Sequence, residues 1–136
     1  MKINRTIIIQ EVIDRLIKSK VKFVVIGGFA KHLHGIAAEI NDLDFFIPEK
    51  FNNSKCIMNL LKLFDRNVKL EEYDFKRILR INYKTIKIDL LPILDVVNNE
   101  KAFLDSKEIM FQHSPIKILR LKEINQNIQH VKNQII

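Results

Sequence analysis

The hydrophobic residues of the segment 4–20 recur every three to four positions, which is the period of an α-helix. Asn4 stands where it would cap the amino end, and lysines lie near the carboxyl end, where positive charge stabilises a helix. The apolar positions that share one side are Ile9, Val12, Ile13 and Leu16. This pattern predicts an amphipathic first helix.

Two short runs of β-branched or aromatic residues follow, and each ends at a residue that interrupts a strand. VKFVVI stops at Gly27 and Gly28, and DLDFFI stops at Pro48. Between them, FAKHLHG has the length of a short helix that ends at Gly35. We therefore expect a buried strand, a short helix and a second strand.

The middle of the chain predicts a third helix and a hairpin. FNNSKCIMNLLKLFDRN begins with Asn53 and Ser54, either of which is a suitable N-cap, and carries one apolar stripe. RILRINYKTIKIDLLP is typical of two paired strands with a turn near residues 82–84. The stripe of the helix consists of Ile57, Leu60, Leu61 and Phe64, and the alternating apolar residues of the returning strand are Ile86, Ile88 and Leu90.

The last third of the chain has a less regular pattern. EIMFQ and IKILR are typical of short strands around the turn-forming HSP, and residues 121–136 predict a helix with a narrow apolar seam. A seam of this length is more typical of packing on its own domain than of a coiled coil, and a dimer contact is the alternative. The seam residues are Leu121, Ile124, Ile128, Val131 and Ile135.

The order of these elements predicts an α/β (α+β) domain in which helices flank a mixed sheet. The 136 residues, 47% of them hydrophobic and 29% charged, suffice for one compact domain. We expect a single domain over residues 1–136, with a core at 4–92 and a C-terminal extension of strand and helix at 93–136.

The composition of the chain indicates where in the cell the protein is expected more clearly than what it does. Charged residues interrupt every apolar run well short of the roughly 18 residues that a membrane span needs, and the amino terminus lacks a signal-peptide cleavage site, so we expect a soluble, cytoplasmic protein with no membrane partner. The single Cys56 excludes an internal disulfide and suits a buried, inert thiol. The net charge of +7 suits a surface that binds polyanions such as nucleotides or RNA, and equally an ordinary solvated surface.

Candidate chemistry begins at Gly27 and Gly28, where a strand leads into a helix. Without Cβ atoms the backbone is open to an anion there, and the free N–H groups of the turn suit a triphosphate. Asp42 and Asp44 lie two positions apart on the second strand, so their side chains share a face while Leu43 turns into the core. Adjacent carboxylates repel each other unless a cation lies between them, and hard oxygen ligands of this kind suit Mg²⁺.

A third acid would allow the site to hold two cations, and Asp89 is the candidate. Its apolar neighbours alternate inward, so Asp89 faces the opposite side of a strand that is expected beside the one that carries Asp42 and Asp44. Two bridged cations would activate an attacking hydroxyl and neutralise the leaving pyrophosphate in an in-line displacement at a nucleotide α-phosphate. Lys87 shares the face of Asp89 and either contacts phosphate or pairs with that aspartate; pairing is the favoured interpretation.

This joint arrangement resembles the nucleotidyltransferase superfamily related to DNA polymerase beta, in the small bacterial branch that includes abortive-infection-type toxins, antibiotic nucleotidyltransferases and minimal antitoxin-like members. The resemblance covers residues 4–92. It implies an enzyme that uses Mg²⁺ or Mn²⁺ to move a nucleoside monophosphate from an NTP to a hydroxyl of RNA such as tRNA, of protein or of a small molecule. The residues that carry it are Gly27, Gly28, Ala30, His34, Gly35, Asp42, Leu43, Asp44 and Asp89.

The resemblance also assigns roles to residues. Asp42 and Asp44 would bind both metals, and Asp89 would complete the site and help to activate the acceptor hydroxyl. His32 and His34 are expected to cap or pack and not to act in catalysis. The candidate catalytic and metal-binding residues are therefore Asp42, Asp44 and Asp89, and the candidate nucleotide-binding residues are Gly27, Gly28, Lys31 and Lys87.

Some positions depart from the family pattern. Ala38 and Ile40 stand where many relatives have an arginine and a threonine, which removes a phosphate contact, and Glu39 adds negative charge nearby. This departure motivates the alternative of a catalytically degenerate module that binds nucleotide or a partner in a toxin–antitoxin type system. Longer relatives close a helical region over the acceptor, so we expect a homodimer or a partner protein at the C-terminal helix to supply it.

Overall fold

The computed structural model describes residues 5–36, 39–66, 75–94 and 98–126 of the chain. Within these ranges the helices are α1 (Arg5–Lys18), α2 (Gly27–Leu33), α3 (Ser54–Leu63), α4 (Asn99–Leu104) and α5 (Leu121–Gln126). The strands are β1 (Val24–Ile26), β2 (Asp42–Phe46), β3 (Leu79–Tyr83), β4 (Ile86–Leu91), β5 (Lys107–Phe111) and β6 (Ser114–Ile118). The predicted α/β class is confirmed.

The described strands form one six-stranded mixed sheet in the order β3-β4-β2-β1-β6-β5. β2 pairs in parallel with β4 and antiparallel with β1, so it lies near the centre of the sheet. The C-terminal hairpin of β5 and β6 joins the same sheet because β6 pairs in parallel with β1. Because β2 lies between β1 and β4, residues of these three strands that are far apart in sequence are neighbours in the sheet.

One face of the sheet packs against the first three helices. Leu43 and Phe45 point to this face, and both are fully buried. Phe29 of α2 meets Phe45 edge-to-face, with 6.4 Å between ring centroids. On the returning strand the predicted inward positions are at most 1% exposed, which confirms the alternation; they are Ile86, Ile88 and Leu90.

The opposite face is apolar at one end and acidic at the other. At the apolar end Phe103 of α4 stacks on Phe51 at a centroid distance of 4.4 Å, and Lys117 lies over the Phe103 ring. At the other end the strands present Asp42 and Asp44, since side chains two positions apart share a face. The alternation along β2 thus separates a buried core face from a polar face that can meet a ligand.

Several sequence predictions need correction in detail. The second helix begins at Gly27 and not after the glycines, and α4 was not predicted. Asn53 is confirmed as the cap of α3, since its side chain accepts a hydrogen bond from the Cys56 amide at 2.9 Å. Cys56 itself is only half-buried.

The apolar seam predicted for the last helix is only partly described. Ile124 is buried, but Leu121 is 43% exposed, so these two positions do not share one buried stripe. The remaining seam positions, Ile128, Val131 and Ile135, lie outside the described residues, as does the predicted cap Asn4. Over the part of the chain that the structure describes, no helix has both the length and the apolar character to cross a membrane.

Candidate active site

The glycine turn and the acidic strand meet at Gly27 and Asp44. Gly27 has a φ of +63°, in the left-handed region that favours glycine, and it opens α2 directly after β1. A Cβ atom at this position would come within 2.5 Å of Asp44 Oδ2. The carboxylate of Asp44 therefore lies against the backbone of the turn, and the residue type at position 27 permits this approach.

Gly28 occupies a different environment from its neighbour. An added Cβ at Gly28 would meet nothing within 4 Å, and the residue is exposed. No side chain caps the start of α2, because Ile26 holds the N-cap position. The backbone at Gly28 is thus open to solvent beside the Asp44 carboxylate, and a ligand can approach it closely.

The parallel pairing of β2 and β4 brings the third predicted acid next to the other two. Asp44 and Asp89 are register partners, and Asp42 is paired with Lys87 on the same face. Paired strands lie roughly 4.8 Å apart, so the side chains of register partners are neighbours. Asp42 is exposed, whereas Asp44 and Asp89 are half-buried. All three predicted acids therefore share one patch of the polar face.

Arg80 on β3 binds the carboxylate of Asp89 with both ends of its guanidinium group. Nε donates to Oδ1 at 2.8 Å and Nη2 donates to Oδ2 at 2.9 Å. This hydrogen bonding to Asp89 is the main cause that raises the pKa of Arg80, burial opposes it, and the charges of Asp89, Asp42 and Asp44 raise it further. The guanidinium group is therefore the direct counter-charge of Asp89 and lies near enough to Asp42 and Asp44 to feel their charges.

The acids are neighbours, but they do not form a ready ligand cluster. Within the described ranges, no three acidic, histidine or cysteine side chains are gathered so that they could hold a metal ion together. Carboxylate oxygens are the ligands that Mg²⁺ takes, and one or two carboxylates suffice when substrate phosphates supply the rest. Asp42 and Asp44 fit that description, whereas both oxygens of Asp89 are bonded to Arg80.

The favoured interpretation of Lys87 is wrong. Asp89 pairs with Arg80 instead, and no ion pair joins Lys87 to Asp89 among the described residues. The register places Lys87 between Asp42 on β2 and Asn82 on β3, on the same face. Lys31 is exposed one turn into α2. Lys31 thus has an exposed side chain, whereas that of Lys87 is half-buried.

His34, which ends the helix that follows the glycine turn, contacts a backbone carbonyl on the far side of β1 and not the three acids. His34 Nε2 lies 2.8 Å from the carbonyl oxygen of Leu119 and links the end of α2 to the end of β6, in keeping with the predicted packing role. Ile40, at one of the positions that depart from the family pattern, packs against the core, and Arg5 donates to its carbonyl oxygen at 2.7 Å. Ala38, at the other, lies outside the described residues.

Sequence reasoning missed Arg80, although a signal for it exists. The β3–β4 register places Arg80 opposite Asp89 because the hairpin turns at Lys84 and Thr85. The predicted turn lay slightly too early, near residues 82–84, so the cross-strand partner of Asp89 was not identified. Lys84 has a φ of +53°, a turn conformation that the sequence does not announce with a glycine.

A polar cluster anchors the same hairpin to α1. Tyr83 donates a hydrogen bond to Glu11, and Arg15 Nη1 donates to the Tyr83 hydroxyl at 2.8 Å. Lys84 binds both oxygens of Glu11 at 3.0 and 2.8 Å. The guanidinium of Arg15 also lies over the Tyr83 ring, 4.6 Å from its centroid. This cluster holds the end of the hairpin that carries Arg80 and Asp89.

Comparisons with known proteins agree with this geometry at the level of the fold. No family model matches the chain, and no curated protein matches it. The chain is similar to the crystal structure of a candidate nucleotidyltransferase from Thermotoga maritima, with a TM-score of 0.61 over 88% of this chain and 79% of that one. The chain has a nucleotidyltransferase-like fold. Sequence identity is 19%, so the likeness concerns the fold, and the small bacterial branch suggested by the motifs stays a prediction.

Proposed function

We propose that the chain is a nucleotidyltransferase that moves a nucleoside monophosphate from an NTP to a hydroxyl group of RNA, protein or a small molecule. The observation that carries this proposal is the contact of the Asp44 carboxylate with the backbone of Gly27, beside the open backbone of Gly28. It brings a cation ligand and a backbone turn that phosphates can approach to the same point of the nucleotidyltransferase-like fold.

In this proposal the chain's own residues bind and orient the nucleotide. Gly28 leaves room for the phosphates, and Gly27 lets the Asp44 carboxylate lie beside them. Lys31 and Lys87 offer positive charge to the phosphates, and Asp42 and Asp44 would hold Mg²⁺ or Mn²⁺. When bound, divalent cations neutralise the phosphate oxygens and the leaving pyrophosphate. A two-metal form of the reaction also needs the carboxylate of Asp89, and therefore needs Asp89 to part from Arg80.

The bond changes follow from this placement. The acceptor hydroxyl oxygen forms a bond to the α-phosphorus, the bond between that phosphorus and the bridging oxygen to the β-phosphate breaks, and pyrophosphate leaves with the electron pair. Once Arg80 has released the Asp89 carboxylate, one of its oxygens accepts the hydroxyl proton, since Asp89 lies on β4 beside Asp44. A cytoplasmic location would supply the NTP.

The decisive experiment incubates the protein with each α-labelled NTP, Mg²⁺ or Mn²⁺ and a cell extract that contains tRNA. We expect label in RNA, protein or a small molecule together with release of pyrophosphate, and loss of both in an Asp42→Ala/Asp44→Ala variant. The position of the label identifies the class of acceptor. Equal results for wild type and the double variant, with no pyrophosphate released by either, would contradict the enzyme.

A catalytically degenerate binding module is the second candidate, and the ion pair of Arg80 with Asp89 favours it, because that pair engages the third acid. This candidate binds nucleotide or a partner protein of a toxin–antitoxin type system without chemistry. Calorimetry separates the two: nucleotide affinity that depends on Asp42 and Asp44, without pyrophosphate release, supports the module. Association of two copies or of a partner through the C-terminal helix belongs to either candidate and is measured by light scattering.

A further inference from the structure

We infer that Arg80 is a positioning residue that controls the access of a divalent cation to Asp89: the guanidinium group occupies the carboxylate, and a cation binds there only by displacing it. The inference rests on the proposed function for its consequence, since it concerns the same acids. Its test measures cation binding directly and needs no transfer of a nucleotide.

The geometry of the pair supports this role. Arg80 contacts both oxygens of Asp89, at 2.8 and 2.9 Å, so the guanidinium fork fills the side of the carboxylate that a bidentate cation would use. The carboxylate is directed to β3, whereas Asp44 lies on the other neighbouring strand, β2. This orientation gives a physical reason why the described acids form no three-ligand cluster.

The two side chains of the pair differ in burial: the Asp89 carboxylate is shielded from water, whereas the Arg80 side chain is partly exposed. The Asp89 side chain is only 13% exposed, so its carboxylate depends on Arg80 for its counter-charge. The Arg80 side chain is 33% exposed and can rotate toward solvent while its backbone stays paired. A cation that arrives with a nucleotide at Asp42 and Asp44 therefore finds Asp89 closed until the guanidinium group leaves.

Competition between two cations for one carboxylate has a measurable sign. Removal of the guanidinium charge frees both Asp89 oxygens and removes positive charge that repels an incoming cation. Lysine at this position keeps the charge but cannot form the two-pronged contact, so it should compete less well than arginine. If Arg80 controls the access of the cation to Asp89, wild type should have the lowest cation affinity, Arg80→Lys an intermediate affinity and Arg80→Gln the highest.

The experiment measures Mn²⁺ binding to the full chain without nucleotide, by calorimetry and by the electron paramagnetic resonance of free Mn²⁺. Because the repulsion between the guanidinium charge and a divalent ion a few ångströms away is removed, Arg80→Gln should bind Mn²⁺ about tenfold more tightly than wild type, or bind one more ion per chain. An Arg80→Gln/Asp89→Asn variant should lose this gain. Lys87→Gln removes one positive charge from the same face without a contact to Asp89 and should give a smaller gain.

Each outcome of these measurements either supports or overturns the inference that Arg80 controls the access of a cation to Asp89. Identical isotherms for wild type and Arg80→Gln overturn it, and so does a gain that persists in the double variant or is matched by Lys87→Gln. If Arg80→Gln does not fold, as judged by circular dichroism, Arg80→Lys carries the same comparison. Wild-type crystals soaked in Mn²⁺ provide a second measurement: an ion on Asp89 with the two-pronged Arg80 contact intact overturns the inference. Absence of nucleotidyl transfer would contradict the proposed function alone.

Discussion

The carboxylate of Asp44 lies against the backbone of Gly27, so closely that a Cβ atom on Gly27 would be 2.5 Å from Oδ2. This contact joins the turn after β1 to the acidic strand β2. The two strands β1 and β2 are antiparallel, and Ile26 of β1 is the register partner of Asp44 of β2. The two sequence motifs that first suggested a nucleotide site are thus parts of one small structure.

The first prediction compares the two adjacent glycines. Gly27→Ala must accept a φ of +63° and a clash with Asp44, and we expect it to lower the free energy of unfolding by roughly 2–4 kcal/mol. Gly28→Ala has open space and should change stability by less than about 1 kcal/mol, while it weakens nucleotide binding by obstructing the phosphates. Denaturant unfolding and calorimetry measure both. Equal loss of stability in the two variants would contradict the assigned contact.

The second prediction concerns the strength of the Arg80–Asp89 pair. A double-mutant cycle with Arg80→Gln and Asp89→Asn should give a coupling energy of about 1–3 kcal/mol, because the aspartate is mostly buried and bound by two hydrogen bonds. The exposed pair of Lys50 and Glu100, at 2.7 Å, is the matched control and should give about 0.2–1 kcal/mol. Coupling no larger than in the control would indicate a solvent-screened contact.

The third prediction is a pH dependence. The hydrogen bonds of Lys84 and Tyr83 hold the pKa of Glu11 below its usual value of 4.5. Because the folded pKa is lowered, this stabilisation is present above the unfolded pKa and is lost as the pH falls below about 4.5 through the folded pKa. The stability difference between wild type and Glu11→Gln should therefore shrink in acid.

Lys84→Met provides the control for this titration. It removes the largest cause of the shift, so the pKa of Glu11, followed through its side-chain carboxyl carbon by NMR, should rise toward the usual value. A Glu11 titration that is the same in wild type and Lys84→Met would show that the contact with Lys84 does not hold the carboxylate in its charged form.

The fourth prediction tests the cap of α3. Asn53 Oδ1 accepts a hydrogen bond from the Cys56 amide at 2.9 Å, so Asn53→Ala should cost about 1 kcal/mol of stability. Asn59→Ala replaces an exposed asparagine within the same helix and should leave stability unchanged or raise it by a few tenths of a kcal/mol. Thermal unfolding of both variants measures the difference, and a neutral Asn53→Ala would contradict the cap.

Most of the helices and strands, and the faces of β2 and β4, could be predicted from local patterns of apolar and polar residues. Alternation at Ile86 and Ile88 correctly placed Asp89 on the polar face, and the spacing of Asp42 and Asp44 correctly placed both on one side of β2. These inferences depend only on the two-residue period of a strand, which tertiary context cannot alter without disrupting the core. The acid-bearing face could therefore be predicted from the sequence.

Contacts between strands could not be obtained in the same way. The pairing of Asp44 with Asp89 depends on how β2 and β4 align in parallel, and the partner of Asp89 depends on a turn displaced by about one residue from the predicted position. Such a displacement changes every cross-strand neighbour, so Arg80 was not identified as the partner of Asp89. Lys87 was assigned to Asp89 instead because the two residues lie on one face of the same strand. The approach of Gly27 to Asp44 likewise requires the antiparallel register of β1 and β2.

The position of β3 in the sheet has a consequence for motion. Among the described strands β3 pairs only with β4, whereas β2 and β4 each pair on both sides. Outer strands fray at lower free energy than inner ones, so amide hydrogens of β3 should exchange with solvent before those of β2 and β4. Fraying of β3 alone withdraws Arg80 and leaves the strands that carry Asp44 and Asp89 intact. The positive charge beside the acids can therefore be removed without global unfolding.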